Sequence, residues 1–408
     1  MGALPGTMKH ILFVDDEPSL LEGLRRMLRP HRARWDTMFA SGGENALQMM
    51  QDSPFDVVVT DMRMPGMDGA QLLECVRDRF PGVVRIVLSG YCEMESMIRA
   101  APVAHQFLQK PCDAGTLLQA LERACGLTNA LQDETIRRIV GAVGQLPCLP
   151  GTSVALMRAL DNPDVALTQV GQIVEHDVAI CAKVMQLVNS AFFGRPQVVT
   201  SIQHAVSFLG VEVLKQLVVA AEIFRAFQPN RSIHGFSLAR IQSHSRLVAA
   251  IAAQLPLPKT SVPAAAVAAL LHDAGKLVLA SHLPEQFERI SRLATAERVT
   301  FQAAEAQLLD TSHAEIGAYL LGLWGLPALV VSAVARHHRP AIEEGDDPRF
   351  GAPAAVYFAD MLASERIPAV DCGSCDNVPG IDREYAQALG VENEIAVWRA
   401  IAEKAGKP

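Results

Sequence analysis

The first 126 residues alternate short, unbroken apolar runs with segments whose apolar residues recur every three or four positions. Runs rich in aliphatic and β-branched residues at 10–15, 35–40, 57–61, 85–89 and 106–109 predict strands buried on both faces, since a strand with one wet face would alternate. The stretches at 18–28, 43–51, 70–78, 93–101 and 114–125 carry helical spacing. Strand and helix in regular succession predict an α/β domain, a doubly wound, five-stranded parallel sheet of flavodoxin-like type.

From Leu127 the alternation stops. Helical spacing at 132–143 marks a connector, and a proline-flanked segment at 146–150 separates it from the rest of the chain. Further helical spacing occurs at 154–160, 165–175, 179–188, 202–209, 211–227, 238–254, 263–271, 284–295, 300–309, 313–323, 327–337, 352–363 and 393–403. No sustained period-two pattern interrupts it, so this half is expected to be all-α. The expected divisions are a leader at 1–7, the α/β domain at 8–126, a helical linker at 127–138 and an all-helical domain at 139–408 with a C-terminal extension.

Composition narrows the function classes. Half of the 408 residues are hydrophobic, enough for more than one core. Residues 1–126 hold 13 Lys and Arg against 16 Asp and Glu, and the remainder 23 against 28, so neither part offers the basic face that nucleic acid requires. With no signal-peptide pattern and no apolar run of about 18 residues, neither secretion nor membrane insertion is expected, and the chain reads as cytoplasmic. The spacing Cys372-Gly-Ser-Cys375 lies in a polar stretch and reads as an ordinary loop.

The ends of the expected strands hold the first candidate chemistry. Asp15 and Asp16 close the first strand, Asp61 the third, Ser89 the fourth, and Lys110 follows the fifth. A parallel sheet brings such ends to one edge. Three carboxylates crowded there call for a hard divalent cation such as Mg²⁺, leaving Asp61 as a nucleophile for a phosphoryl group. Lys110 and Ser89 would hold the phosphoryl oxygens.

The acidic pair Asp15-Asp16, the run Asp61-Met-Arg-Met-Pro-Gly-Met-Asp-Gly69, Ser89-Gly90 and Lys110-Pro111, in that order, resemble the receiver domain of two-component response regulators. The resemblance implies Asp61 as phospho-acceptor, Asp15 and Asp16 as Mg²⁺ carboxylates and the Arg63 carbonyl as a further ligand. It also implies Ser89 and Lys110 as the switch hydroxyl and lysine, Phe107 as the switch aromatic, and a sensor histidine kinase as the phosphodonor. Downstream it implies a signalling protein or a second copy of the chain as partner.

In the helical half the informative residues are His244, His272-Asp273, His313, His337-His338 and Asp360, each on or at the end of a separate helix. A helical bundle can turn such residues inward to build a site for Fe, Mn, Zn or Ni, although a helix terminus with a self-satisfied His-Asp pair is the plain alternative. The segments at 146–150, 187–194, 205–210 and 270–279, with His313-Ala-Glu-Ile-Gly, Trp324-Gly-Leu-Pro and the His337-His338 pair, resemble the HDOD family, a helical output module related to HD-type phosphohydrolases. That implies a regulatory, protein-binding role. The related cyclic di-GMP phosphodiesterases imply the alternative, a metal-dependent phosphohydrolase acting on a cyclic dinucleotide or nucleotide. Their signature after the histidine pair is absent, since Arg339-Pro-Ala follows His338.

Overall fold

A computed structural model describes residues 8–90, 99–127, 133–144, 146–162, 164–190, 198–219, 232–340, 350–366 and 380–405. They fall into two compact units, one centred on Met1–Gly144 and one holding most of the remainder.

The first unit is built on five parallel strands, β1 (Lys9–Val14), β2 (Trp35–Ala40), β3 (Val57–Asp61), β4 (Val84–Ser89) and β5 (Gln106–Gln109), in the order β2-β1-β3-β4-β5. Every residue of β3 and β4 is buried, as expected for strands with no wet face. The helices α1 (Pro18–Leu28), α2 (Gly43–Asp52), α3 (Gly69–Arg79) and α4 (Ala114–Leu127) lie between and after the strands. Asp68 begins α3 with a capping box, its carboxylate accepting from the Gln71 N–H while the Gln71 side chain accepts from the Asp68 N–H. Most of the helix expected at 93–101 lies outside the described residues.

A fifth helix, α5 (Glu134–Ala142), groups with this unit, so the expected connector packs on the α/β domain. Asp133 caps it, accepting from the N–H groups of Thr135 and Ile136.

The second unit is helical. Its described helices include Val178–Val188, Leu238–Ala252, Val262–Leu271, His313–Leu323, Ala328–Arg336 and Ala352–Ser364, close to the expected spans. The segments expected at 202–209 and 211–227 are, within the described span Ile202–Val219, two helices separated at Gly210, whose φ of 76° and ψ of 166° are not helical. Residues 220–227 and the Cys372/Cys375 pair lie outside the described residues.

The helix Ala274–His282 was not expected, because its first seven residues are all buried and it has no polar face to give a period. It extends the apolar stretch beyond the expected limit. Among the described residues, Val262–His282 has the length and hydropathy of a membrane span, yet 83% of its apolar window is buried and His272-Asp273 breaks it into two helices.

Candidate functional sites

The parallel register sets the first site. Val14 stands beside Thr60 and Asp61 beside Leu88, while Ser89 stands beside Gln109, so the β1, β3, β4 and β5 ends share one edge. Lys110, just past β5, reaches back across it. Its Nζ lies 2.7 Å from Asp15 Oδ2 and also pairs with Asp61 Oδ1. The two remaining oxygens accept backbone N–H groups, Asp15 Oδ1 from Glu17 at 2.9 Å and Asp61 Oδ2 from Arg63 at 2.8 Å.

Burial pushes the Asp61 carboxyl above its ordinary range, and the neighbouring Asp15 charge adds to this against the opposing pull of Lys110. Lys110 is itself held above its usual range: burial works against its charge, but its hydrogen bonds and ion pairs with both aspartates outweigh that. One ammonium is thus shared by two carboxylates, which leaves negative charge at the strand ends uncompensated. The donor set is all oxygen and fits a hard cation that keeps part of its water. Asp16 and Arg63 are exposed, whereas Ser89 and Phe107 are fully buried in β4 and β5.

In the helical unit all seven expected residues meet. His244 Nε2 lies 2.9 Å from Asp360 Oδ1, and His272 Nε2 lies 3.7 Å from that same oxygen and 3.5 Å from Asp273 Oδ2. Asp273 Oδ1 stands 3.4 Å from His313 Nε2 and 3.8 Å from His337 Nε2, and Asp360 Oδ2 stands 3.6 Å from His338 Nδ1. Three overlapping groups have ligand atoms within 4.8 Å of one another: His244, His272 and Asp360; His272, Asp273 and His337; His313, His337 and His338.

The orientation of the rings matters as much as their proximity. His272 Nδ1 lies 2.7 Å from the Ala269 carbonyl oxygen, and His337 Nδ1 lies 2.6 Å from that of Val334. A carbonyl only accepts, so each Nδ1 carries the hydrogen and each neutral ring turns the Nε2 lone pair inward. His272 Nε2 and Asp360 Oδ2 are buried without a hydrogen-bond partner. Acceptors packed against acceptors in a dry pocket are costly without a cation. The nitrogen and oxygen donor set therefore fits a borderline transition metal.

The charges divide accordingly. Burial and the adjoining imidazoles hold His337 well below the usual histidine range and bring His338 down to about 3. Burial opposes ionisation of Asp273 and Asp360, but Lys276 and the imidazoles at Asp273, and His244 and His272 at Asp360, keep both carboxyls well below theirs. His313 goes the other way. Burial would lower it, but the Glu305 carboxylate raises it to about 9.

Two residues not singled out as site members take part. Lys276 Nζ lies 3.1 Å from Asp273 Oδ2, and fully buried Glu305 lies 2.7 Å from His313 Nδ1. Lys276 belongs to the run that begins at His272-Asp273. Glu305 had only a faint signal, its position one helical turn after Phe301 on the buried side.

Residues 11–122 match the response regulator receiver domain model, and residues 146–340 match the HDOD domain model. A protein of Treponema pallidum is 28% identical over 229 residues, covering 55% of this chain and 43% of its own length. The hydrogenase transcriptional regulatory protein HoxA of Cupriavidus necator is 34% identical over 116 residues, 28% of this chain and 23% of its own. This chain thus spans less than half of either curated relative. The crystal structure of the MmoQ response regulator of Methylococcus capsulatus aligns with a TM-score of 0.47 at 23% identity, covering 62% of this chain and 98% of that one.

Proposed function

Since this chain belongs to the response regulators, with a receiver domain followed by an HDOD domain, we propose that Asp61 is its phospho-acceptor and that the helical unit is the output it controls. The carrying observation is the ammonium of Lys110 shared between Asp15 and Asp61 at the strand ends. A buried carboxylate held beside one cation, with one oxygen fixed by the Arg63 N–H, is oriented as a nucleophile.

Asp15, Asp16, Asp61 and the Arg63 carbonyl would hold Mg²⁺, which when bound supplies charge neutralisation for an incoming phosphoryl group. Lys110 would move its pairing from the carboxylates to the phosphoryl oxygens, and Ser89 would donate to one of them. The added charge of about −2 then shifts the balance between two conformations through Ser89 and Phe107. We assign the phosphodonor role to a sensor histidine kinase in the cytoplasm and the output role to binding of a signalling protein or a second copy. Uptake of radiolabel from a small phosphodonor with Mg²⁺ is expected for wild type and lost in Asp61→Asn. Equal labelling of the two proteins would sink the assignment.

The inward-facing acceptors of the helical unit favour a second reading, a metal-dependent phosphohydrolase. His244, His272, Asp273, His313, His337, His338 and Asp360 would hold one or two transition ions, which when bound supply an activated water. Elemental analysis combined with turnover of cyclic di-GMP, with and without a phosphoryl mimic, tests it. Metal without turnover would leave the site structural, and the absence of both would leave a pure binding module.

A further inference from the structure

We propose that Glu305 is the positioning residue that makes His313 a metal ligand. This inference rests on reading the histidine cluster as a metal site. Glu305 has no exposed surface, and both its oxygens go to one partner: Oε1 accepts the His313 backbone N–H at 3.0 Å, and Oε2 lies 2.7 Å from His313 Nδ1. A carboxylate can serve both only by accepting, which fixes the hydrogen on Nδ1 and leaves Nε2 to face His337 Nε2 at 3.3 Å, His338 Nε2 at 3.1 Å and Asp273 Oδ1 at 3.4 Å.

Local sequence builds this arrangement. Thr300 caps the helix Phe301–Leu308 by accepting from the Ala303 N–H at 3.1 Å. Phe301 and Glu305, four residues apart, share one face of that helix. The Phe301 ring packs edgewise on the His313 ring with centroids 5.9 Å apart, so this short helix fixes both the plane and the tautomer of one imidazole. His272 and His337 rely on main-chain carbonyls for the same purpose. His313 is the first residue of its helix, with no preceding turn to lend a carbonyl, and Glu305 supplies the acceptor instead.

The plain competing role is a helix cap, and Glu305→Gln separates the two. The backbone N–H of His313 can only donate, so the glutamine oxygen must face it and the amide NH₂ must face Nδ1. That arrangement keeps the cap but makes Nδ1 the acceptor and places the hydrogen on Nε2, where a cation would bind. The test is titration of the metal-depleted full chain with Co²⁺, following its visible absorption bands, together with thermal unfolding of the metal-free proteins.

The expected result is a 10- to 100-fold loss of Co²⁺ affinity in Glu305→Gln, on the order seen for such supporting groups, with metal-free unfolding close to wild type and recovery of affinity in Glu305→Asp. Wild-type affinity in Glu305→Gln would overturn the positioning role and leave the metal site standing. If wild type itself develops no Co²⁺ bands, the metal reading falls and this inference falls with it. Should Glu305→Gln prove unstable, a Co²⁺ spectrum of Glu305→Asp that has lost a nitrogen ligand would also count against the positioning role.

Discussion

The guanidinium of Arg85, the second residue of β4, donates from Nη2 to the carbonyl oxygen of Gly141 at 2.7 Å, tying α5 to the sheet. Arg85 is fully buried, and it also donates from Nε to the Val103 carbonyl at 2.6 Å. His105 completes the junction. Its Nδ1 accepts the Arg85 backbone N–H at 3.1 Å, so the ring hydrogen is on Nε2, 2.9 Å from the same Gly141 oxygen. Arg85 stands four residues before Ser89, and His105 two before Phe107, so the strands that carry the proposed switch residues also hold α5.

Removing Arg85 should therefore loosen α5 before anything else. Arg85→Met preserves much of the apolar stem but strands the Val103 carbonyl and weakens the hold on Gly141, at a cost of about 1–3 kcal/mol for each buried group left unsatisfied. Amide exchange in α5 should accelerate more than in β3. Uniform acceleration across the sheet would show that Arg85 serves the sheet and not the junction.

Replacing Asp61 should stabilise the protein. Its folded carboxyl lies above the ordinary value of 3.8, so the unfolded chain ionises at a lower pH than the native one, and ionisation disfavours folding. The penalty is complete above the folded pKa and vanishes below the unfolded one. Asp61→Asn should thus unfold at a higher temperature near pH 7, with the advantage shrinking as the pH falls toward 3.8. A gap independent of pH would mean that the charge is not the cause.

The elements that were legible in the sequence explain those that were not. The β3 run Val57–Asp61 could be read directly because a strand covered on both faces must be apolar throughout. Its closing carboxylate marked the site. The histidines could also be recognised, as polar residues spaced along apolar helices. Their convergence was not contained in any local pattern, because it depends on how six helices cross. Glu305 was hidden for a related reason. In Phe301–Leu308 it sits beside Gln302, Gln307 and other residues of a mildly amphipathic helix, and only the tertiary approach of His313 distinguishes it from a solvated acid.

The histidine cluster should give the metal-free protein a stability optimum near pH 6.5. His338, brought down to about 3 when folded, takes up its proton more readily in the unfolded chain, so stability is lost as the pH falls from 6.5 toward 3. His313, raised to about 9, contributes stability that is fully present below 6.5 and lost as the pH rises through 9. Chemical denaturation across this range should show His338→Asn flattening the acid limb and His313→Asn the alkaline one. An unchanged acid limb in His338→Asn would show that the buried imidazole does not govern it.

Gly275 should tolerate no side chain. A Cβ built there runs into the His313 carbonyl oxygen and comes within 2.9 Å of the Gly317 nitrogen, because Ala274–His282 meets the start of His313–Leu323 backbone against backbone. Both neighbours are main-chain atoms and cannot rotate away, so the helices must separate. Overpacking of this kind costs about 1–3 kcal/mol, and the separation carries His313 with it. Gly275→Ala should therefore lower both the denaturant midpoint and the Co²⁺ affinity. Gly151→Ala, on an exposed helical position with nothing within 4 Å of the new Cβ, should gain up to about 1 kcal/mol. If Gly275→Ala loses stability but keeps full Co²⁺ affinity, the cluster is not held by this helix crossing.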